Sequence, residues 1–243
     1  MILRDIGMLA VDSNRSKFYL LQLIKHEMLP SFVLLMEDPS ISTPEAIAKI
    51  QSDNRKERVI FESFDLTLSL RALLKKNSIP YRILSSLNPN SNIVVSAVAD
   101  SEQSIFIYSG PGGAILRKQI LGAGKRFLHV HPGIVPHYRG STTIYYSLLK
   151  EGNCGATAFF LNEQIDMGPV IRKKIFKAPQ DRQTIDLFYD PFIRSELLVE
   201  VLKTYTQTGV MSSEADDIAA GETYFIIHPV LKHISITSDE NKK

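Results

Sequence analysis

The stretch IGMLAVDSNRSKFYLLQLIKHEMLPSFVLLME, residues 6–37, decides the fold class. Its first run, IGMLAV, is typical of a buried strand, and SKFYLLQLIKHEM repeats apolar residues at helical spacing with Ser16 near the cap. The run SFVLLME then predicts a second strand. Strand, helix and strand in succession predict a β-α-β unit, and therefore an α/β fold with a mostly parallel sheet flanked by helices.

The same alternation continues along the chain. Helices are predicted over residues 42–51 and 63–77, while SNIVVSAVADSE, residues 91–102, fits either a helix or a strand. A clearer strand, SIFIYSG, leads into the glycine-rich segment GPGGAIL. Pro191 lies inside the long helical pattern of residues 184–205 and should kink or split that helix.

The tail contains two short apolar runs, TYFII and VLKHISI, on either side of His228 and Pro229. Such runs predict a hairpin or two short strands. We therefore expect a catalytic domain over residues 1–208 and a short β-containing extension over residues 209–243. The extension could pair with the sheet, cover a binding site or form the contact of a homodimer.

Composition limits the function classes. The chain has 243 residues and a net charge of +2, which does not favour a protein that grips a nucleic-acid backbone. Cys154 has no cysteine partner for an internal disulfide. No signal sequence and no apolar run of about eighteen residues is visible, so we expect a soluble cytoplasmic protein without a membrane partner.

The segment FLHVHPGIVPHYRGS, residues 127–141, holds three of the six histidines. In a strand His129 and His131 point to one side while Val130 points into the core, so the two imidazoles share one site. Together with Asp166 they could bind a metal ion, act in catalysis or have a structural role. The first strand is not followed by G-x-G-x-x-G, so we expect a Rossmann-type sheet without a nicotinamide cofactor.

The segments HVHPGIVPHYRGSTTIYYSLLKEG and GATAFFLNEQIDMGPVI together resemble folate-dependent formyltransferases. The resemblance rests on HPG, P-x-Y-R-G and I-D-x-G-P in this order and spacing. It implies the Rossmann-like formyltransferase fold. It also implies an enzyme that transfers a formyl group from N10-formyltetrahydrofolate to an amine, with no metal.

The resemblance implies three catalytic residues. The family uses an Asn, a His two positions later and an Asp in a later loop; the last two correspond to His131 and Asp166. His129 stands where the family has Asn. An imidazole always offers at least one N–H, so His129 could still donate to the oxyanion of the tetrahedral intermediate.

The resemblance also implies two binding regions. Two loops should present backbone groups to the pterin ring, and residues near the start of the helix after PHYRG should contact the acceptor. The expected folate-binding residues are Gly112, Gly113, Ala114, Ile115, Leu116, Asn162, Gln164 and Ile165, and the expected acceptor-binding residues are His137, Arg139, Ser141 and Tyr146. Arg194 could reach a ligand, but a charged residue in a helix is more often solvated.

For the acceptor, the family comparison favours a nucleotide-linked amino sugar. The segments DPFIRSELL and YFIIHPVLKH resemble enzymes of bacterial surface-glycan biosynthesis that formylate a UDP-linked 4-amino-4,6-dideoxy sugar. Glycinamide ribonucleotide and methionyl-tRNA are alternative acceptors. A metal-dependent hydrolase and a non-catalytic sugar-binding module are alternatives from other classes.

Overall fold

A computed structural model describes residues 1–38, 40, 64, 66–215 and 221–238. Its main sheet has seven strands in the order β3-β2-β1-β4-β5-β7-β8, and β6 and β9 form a separate two-stranded sheet. The strands are β1 Ile2–Val11, β2 Leu29–Met36, β3 Tyr81–Leu84, β4 Ile105–Ser109, β5 Arg126–His131, β6 Tyr138–Gly140, β7 Asn153–Phe160, β8 Val170–Lys177 and β9 Glu222–Tyr224.

Helices cover both faces of the main sheet. The α-helices are α1 Asn14–Lys25, α2 Leu70–Lys76, α3 Asn92–Ala99, α4 Lys118–Leu121, α5 Thr143–Glu151, α6 Asp190–Thr208 and α7 Pro229–Thr237; a 3₁₀ turn, Arg182–Thr184, and a π turn, Ile185–Tyr189, precede α6. Among the described residues, no helix is long and apolar enough to cross a membrane.

The predicted β-α-β opening is confirmed as β1, α1 and β2, with β1 and β2 parallel. The adjacent strands β3, β2, β1, β4 and β5 all run parallel, whereas β7 runs antiparallel to both β5 and β8. The sheet is therefore mostly parallel, as predicted. Ser13 rather than Ser16 is the cap of α1, and its hydroxyl accepts a hydrogen bond from the Ser16 backbone N–H.

The core has one layer on each face of the sheet. Leu128 and Val130 of β5 pack into the layer formed with α1 and α6. Phe127 packs into the opposite layer, which α3 and α4 cover. Because side chains alternate along a strand, His129 and His131 leave β5 on the same side as Phe127.

The helices agree with some of the predicted bounds and differ from others. The ambiguous segment 91–102 contains a helix, α3, and the helix expected over residues 63–77 begins only at Leu70, after the cap Ser69. Pro191 splits the long helical pattern, because the π turn ends just before it and α6 begins with it in the first turn. The helix predicted over residues 42–51 lies outside the described residues.

The predicted hairpin in the tail is wrong. β9 pairs in parallel with β6, and the run VLKHISI belongs to helix α7. Pro229 occupies the first turn of this helix, and His228 caps it by accepting from the Val230 N–H. Helix α6 ends at Thr208, but the division of the chain into two domains at that point stays a prediction.

Candidate active site

The site forms where β5 leaves β4. Their pairing ends at Ile107 and Leu128, yet β5 continues to His131. On its other side, this end of β5 stays paired with β7, where Phe159 faces His129. The two strand histidines therefore lie at the carboxyl end of the parallel strands, which is where ligands bind in open α/β sheets.

His131 is almost fully buried, with 3% of its surface exposed. Its Nε2 lies 2.8 Å from the Tyr138 carbonyl oxygen and 3.2 Å from the Thr143 hydroxyl. A side chain at Gly133 would collide with these groups, since an added Cβ would lie 2.7 Å from the same carbonyl and 3.0 Å from Nε2. The glycine of the HPG motif is thus required by the packing around the imidazole.

The other ring nitrogen of His131 faces a carboxylate. Nδ1 lies 3.4 Å from Oδ2 of Asp166. The Tyr138 carbonyl can only accept a hydrogen bond, so Nε2 carries a proton. A proton on either Nδ1 or Oδ2 would form a hydrogen bond to the other atom. The two residues can therefore share one proton.

Asp166 reaches this position because the loop after β7 folds back over the strand. The fold-back is tight at Gly168, where an added Cβ would lie 1.7 Å from the Phe160 carbonyl oxygen. Asp166 itself has a positive φ of 52°, and its Oδ2 accepts a 2.7 Å hydrogen bond from the Gly140 N–H. Its side chain remains 12% exposed, so the carboxylate can be reached from solvent.

His129 lies beside this pair in a different environment. Its ring is 6.1 Å from that of Tyr108 and 5.7 Å from that of Phe159. The residue is partly exposed, but its Nδ1 is buried and has no hydrogen-bond partner among the described residues. Burial, and then the positive charges of Arg194 and Arg15, hold the pKa of His129 well below its usual value. His129 is therefore a neutral imidazole with one N–H.

Two arginines line the opening between β4 and β5. Arg15, at the start of α1, donates from Nε to the Ser109 hydroxyl at 3.0 Å and from Nη2 to the Gly110 carbonyl. Arg194 is 5% exposed and donates from Nε to the Val130 carbonyl at 2.7 Å. Arg194 is therefore not a solvated residue as predicted, and Arg15 was not predicted from the sequence.

In the first loop predicted to bind folate, residues 112–116, some residues are accessible to solvent and others are buried. A Cβ added at Gly112 or Gly113 would meet no atom within 4 Å, so the backbone of both glycines is accessible. Ile115 is 51% exposed, whereas Leu116 is buried in the core. The Leu116 side chain therefore cannot cover a bound ring. The Ala114 N–H donates to the Pro111 carbonyl at 3.2 Å, and contact of Ala114 and Leu116 with folate stays a prediction.

Asn90 fixes this loop, and the sequence analysis did not identify it. Its side-chain Nδ2 donates to the Ile115 carbonyl and its Oδ1 accepts from the Arg117 N–H, both at 2.8 Å. The amide thus bridges the two residues that flank Leu116. A polar residue ahead of a helix gives no sequence signal for such a distant contact.

The second predicted loop is stabilised by its own first residue. Asn162 donates to the Met167 carbonyl at 3.2 Å and accepts from the Gln164 N–H at 3.0 Å. Ile165 is 47% exposed, directly before Asp166. Asn162 therefore shapes the loop, and contact of Gln164 and Ile165 with a pterin ring stays a prediction.

Comparison with known proteins identifies the segment that contains this site. Residues 94–196 match the model of the formyl transferase family, and this range includes His129, His131 and Asp166. The chain contains a formyl transferase domain. The matched segment begins in α3 and ends in α6.

Relatives of the formyl transferase domain include a methionyl-tRNA formyltransferase from Roseiflexus castenholzii. It is 28% identical over 128 residues, which are 51% of this chain and 40% of the relative. The chain spans less than half the length of such curated relatives.

Two solved structures show the same fold. A sugar N-formyltransferase from a Shewanella species is 12% identical with a TM-score of 0.58, over 95% of this chain and 86% of the other. A phosphoribosylglycinamide formyltransferase from Anaplasma phagocytophilum is 13% identical with a TM-score of 0.58, over 93% and 98% of the two chains. At these identities the similarity concerns the fold.

The residues expected to bind the acceptor lie around β6, where the tail joins the formyl transferase domain. Arg139 is 6% exposed and donates from Nη2 to the Gly221 carbonyl at 3.1 Å. The Ser141 N–H donates to the Tyr224 carbonyl at 2.8 Å, and the Tyr146 ring lies 4.5 Å from that of Tyr224. These three residues hold the tail in place.

His137 differs from the other three, because it is exposed and lines a pocket of about 370 Å³ between β6 and the tail. The start of a helix beside an arginine can bind an anion, and the acceptor was expected to contact this end of α5. Instead the hydroxyl of its cap, Thr142, accepts from the Ile227 N–H at 2.9 Å. The tail therefore covers this helix end, and anion binding by Arg139 there is not supported by its placement.

Proposed function

We propose that the protein transfers a formyl group from N10-formyltetrahydrofolate to the amino group of a nucleotide-linked amino sugar. The observation that carries the proposal is the contact between His131 Nδ1 and Asp166 Oδ2, inside the segment that matches the formyl transferase family. A buried imidazole paired with a reachable carboxylate is suited to move a proton during acyl transfer.

The reaction has two requirements that side chains can meet. The co-substrate supplies the formyl carbon, to which the amine nitrogen forms a bond while the bond to N10 breaks. The amine loses a proton and N10 gains one, and the formyl oxygen is negatively charged in between. The enzyme therefore needs a group that handles the proton and a donor for the oxyanion.

Asp166 and His131 meet the first requirement in this proposal. The carboxylate of Asp166 accepts the proton from the attacking amine, because its side chain is the more exposed of the pair. His131 shares that proton through Nδ1, and its Nε2 stays fixed on the Tyr138 carbonyl. Positioned acid-base catalysis of this kind contributes about 10²- to 10⁴-fold in rate.

His129 meets the second requirement. His129 is partly exposed and lies on the same side of β5 as His131, so its ring can face the reacting oxygen. A neutral imidazole can place its single N–H on either nitrogen. A donor aimed at an oxyanion contributes about 10²- to 10³-fold. His129 thereby replaces the family's Asn as a donor.

The two loops on this side of the sheet fit a flat heterocycle. Gly112 and Gly113 leave their backbone open, and exposed Ile115 and Ile165 offer apolar surface. Close approach of backbone and apolar side chains is how proteins bind such rings. We propose that these loops hold the pterin part of the co-substrate.

For the acceptor, support comes from two sequence segments and from fold similarity. The segments 190–198 and 224–233 resemble enzymes that act on a UDP-linked 4-amino-4,6-dideoxy sugar in surface-glycan biosynthesis, and the fold matches a sugar N-formyltransferase. Methionyl-tRNA and phosphoribosylglycinamide enzymes are also similar, so other amines are included in the test. We place the reaction in the cytoplasm.

A metal-dependent hydrolase is less well supported. Within the described part of the chain, His129, His131 and Asp166 do not form a group of ligands that could hold a metal ion. The two nitrogens of His131 already face Asp166 and the Tyr138 carbonyl. We therefore do not assign a metal.

The deciding experiment is an assay with N10-formyltetrahydrofolate and a panel of amines. The panel contains UDP- and dTDP-linked 4-amino and 3-amino sugars, glycinamide ribonucleotide and methionyl-tRNA. Tetrahydrofolate release and the product mass are both followed, and Asp166→Asn is the control for background transfer. A formyl group added to a nucleotide sugar alone supports the proposal. Transfer only to one of the other amines would refute the acceptor, and absence of folate binding would refute the reaction.

A further inference from the structure

The Val130 carbonyl of strand β5 accepts its hydrogen bond from a side chain and not from a neighbouring strand. The Phe127 carbonyl accepts from the Leu161 N–H, which places it on the side of β7. Carbonyls alternate along a strand, so the Val130 carbonyl points toward β4. However, β4 pairs with β5 only as far as Leu128. Arg194 supplies the missing donor, with Nε 2.7 Å from the Val130 oxygen.

This contact lies at the centre of the site. Val130 is the single residue between His129 and His131, and its own side chain is buried in the core. A hydrogen bond to the Val130 carbonyl thus fixes the peptide that links Val130 to His131, one residue after His129. Because catalytic groups must be held within a fraction of an ångström, a shift of this peptide would displace both histidines at once.

The guanidinium of Arg194 is itself held rigidly. Its Nη1 lies 3.2 Å from Oδ2 of Asp190, one turn earlier on α6. Burial lowers the pKa of Arg194, but the adjacent Tyr19 and Asp190 more than offset this effect and raise it overall. Arg194 is therefore a permanent positive charge beneath β5.

We propose that Arg194 is a positioning residue for the transfer reaction: it fixes the β5 backbone between His129 and His131 and keeps a positive charge beside His129. The inference rests on the proposed function for its catalytic consequence. Its structural part concerns the two histidines alone and can be measured without any substrate.

Four groups determine the charge around His129. Burial has the largest effect and lowers the pKa of His129. Arg194 from α6, Arg15 from α1 and His131 from the same strand lower this pKa further, whereas a hydrogen bond with the Tyr108 backbone raises it. Tyr108 on β4 is uncharged, because burial raises its pKa to about 12. Of the two arginines Arg194 has the larger effect on His129.

Two variants separate position from charge. Arg194→Lys keeps the positive charge but loses the planar donor at Nε, whereas Arg194→Met removes both. The matched control is Arg182→Lys. Arg182 is another buried arginine, 8% exposed, and donates to the Ser235 carbonyl at 2.9 Å, away from the histidines.

The first readout is the side-chain ¹⁵N NMR spectrum of the full chain, recorded between pH 4 and 8 without substrates. Arg194→Lys should shift the ring signals of both His129 and His131 and leave the His129 midpoint close to that of the wild type. Arg194→Met should shift the signals and also raise the His129 midpoint, since a positive neighbour is removed. Arg182→Lys should change neither.

The second readout is steady-state kinetics. Arg194→Lys should lower kcat by about 10- to 100-fold and change each KM by less than about 3-fold, because the histidines are displaced rather than the binding loops. Unchanged ring signals and kcat in Arg194→Lys would overturn the proposal, as would the same effects in Arg182→Lys. If Arg194→Met does not fold, Arg194→Lys alone is sufficient for the test. If the wild type transfers no formyl group, the proposed function fails, while the NMR result still decides the positioning role.

Discussion

His131 and Asp166 meet through a loop that folds back along β7, with Nδ1 and Oδ2 3.4 Å apart. Both ends of this contact are fixed independently. The Tyr138 carbonyl holds the far side of the imidazole, and the Gly140 N–H holds the carboxylate. Both anchors belong to β6, so one short strand aligns the two residues proposed to move the proton.

The first prediction concerns this pair. Asp166→Asn keeps an oxygen for the Gly140 N–H but can no longer accept the amine proton, and His131→Ala removes the partner. Each variant should lower kcat by about 10²- to 10⁴-fold, measured by tetrahydrofolate release. Asp100→Asn, an exposed position at the end of α3, serves as the control. Circular dichroism checks the fold, and a folded variant with wild-type turnover would contradict the mechanism.

The second prediction tests the role of His129. If its N–H donates to the oxyanion, His129→Asn should retain kcat within about 10-fold, because an amide also donates, while His129→Phe should lose about 10²- to 10³-fold. The phenyl ring approximates the shape of the imidazole beside Phe159 without a donor. Equal loss in both variants would show instead that the imidazole performs acid-base work.

The third prediction follows from the depressed pKa of His129. Below its ordinary value of 6.5 this side chain takes up a proton in the unfolded chain but not in the folded protein. Its contribution to stability is therefore present above pH 6.5 and is lost as the pH falls toward the folded-state pKa, by about 1.4 kcal/mol for each pH unit.

The measurement is the free energy of unfolding in urea at pH 7.5 and 5.5. The wild type should lose about 1.4 kcal/mol more than His129→Asn between these two values. Any effect of Asn that does not depend on pH cancels in the difference. Asn92→Ala, at an exposed position of α3, introduces no change in a titratable group and should lose as much as the wild type. Equal losses in wild type and His129→Asn would show that His129 titrates normally in the folded state.

How far the sequence predicted this molecule depends on the range of the interactions. Local periodicity was sufficient for β1, α1 and β2 and for placing His129 and His131 on one side of β5, because these features depend on neighbouring residues. The prediction for the tail was wrong because the structure of the tail depends on residues that are distant in sequence. β9 pairs with β6, far away in sequence, and the Pro229 that suggested a break instead begins a helix.

The site shows the same limit. The motif-based resemblance identified His131 and Asp166, which lie 3.4 Å apart, while their catalytic roles stay a prediction. Arg194 was misjudged, because a charged residue in a helix is usually solvated and its bond to Val130 joins segments 64 residues apart. Asn90 gave no signal, since its contacts with Ile115 and Arg117 depend on how two loops meet.

The fourth prediction concerns Asn90. Asn90→Ala removes both hydrogen bonds that bridge Ile115 and Arg117, so the loop proposed to hold the pterin ring should lose its fixed shape. We expect KM for N10-formyltetrahydrofolate to rise by about 10-fold, equivalent to roughly 1.4 kcal/mol, with kcat and the acceptor KM within about 2-fold of the wild type. Asn92→Ala, at an exposed position in the first turn of α3, is the control and should change none of these values. Equal increases in both KM values would indicate a general loss of structure, and an unchanged folate KM would remove residues 112–116 from the proposed binding site.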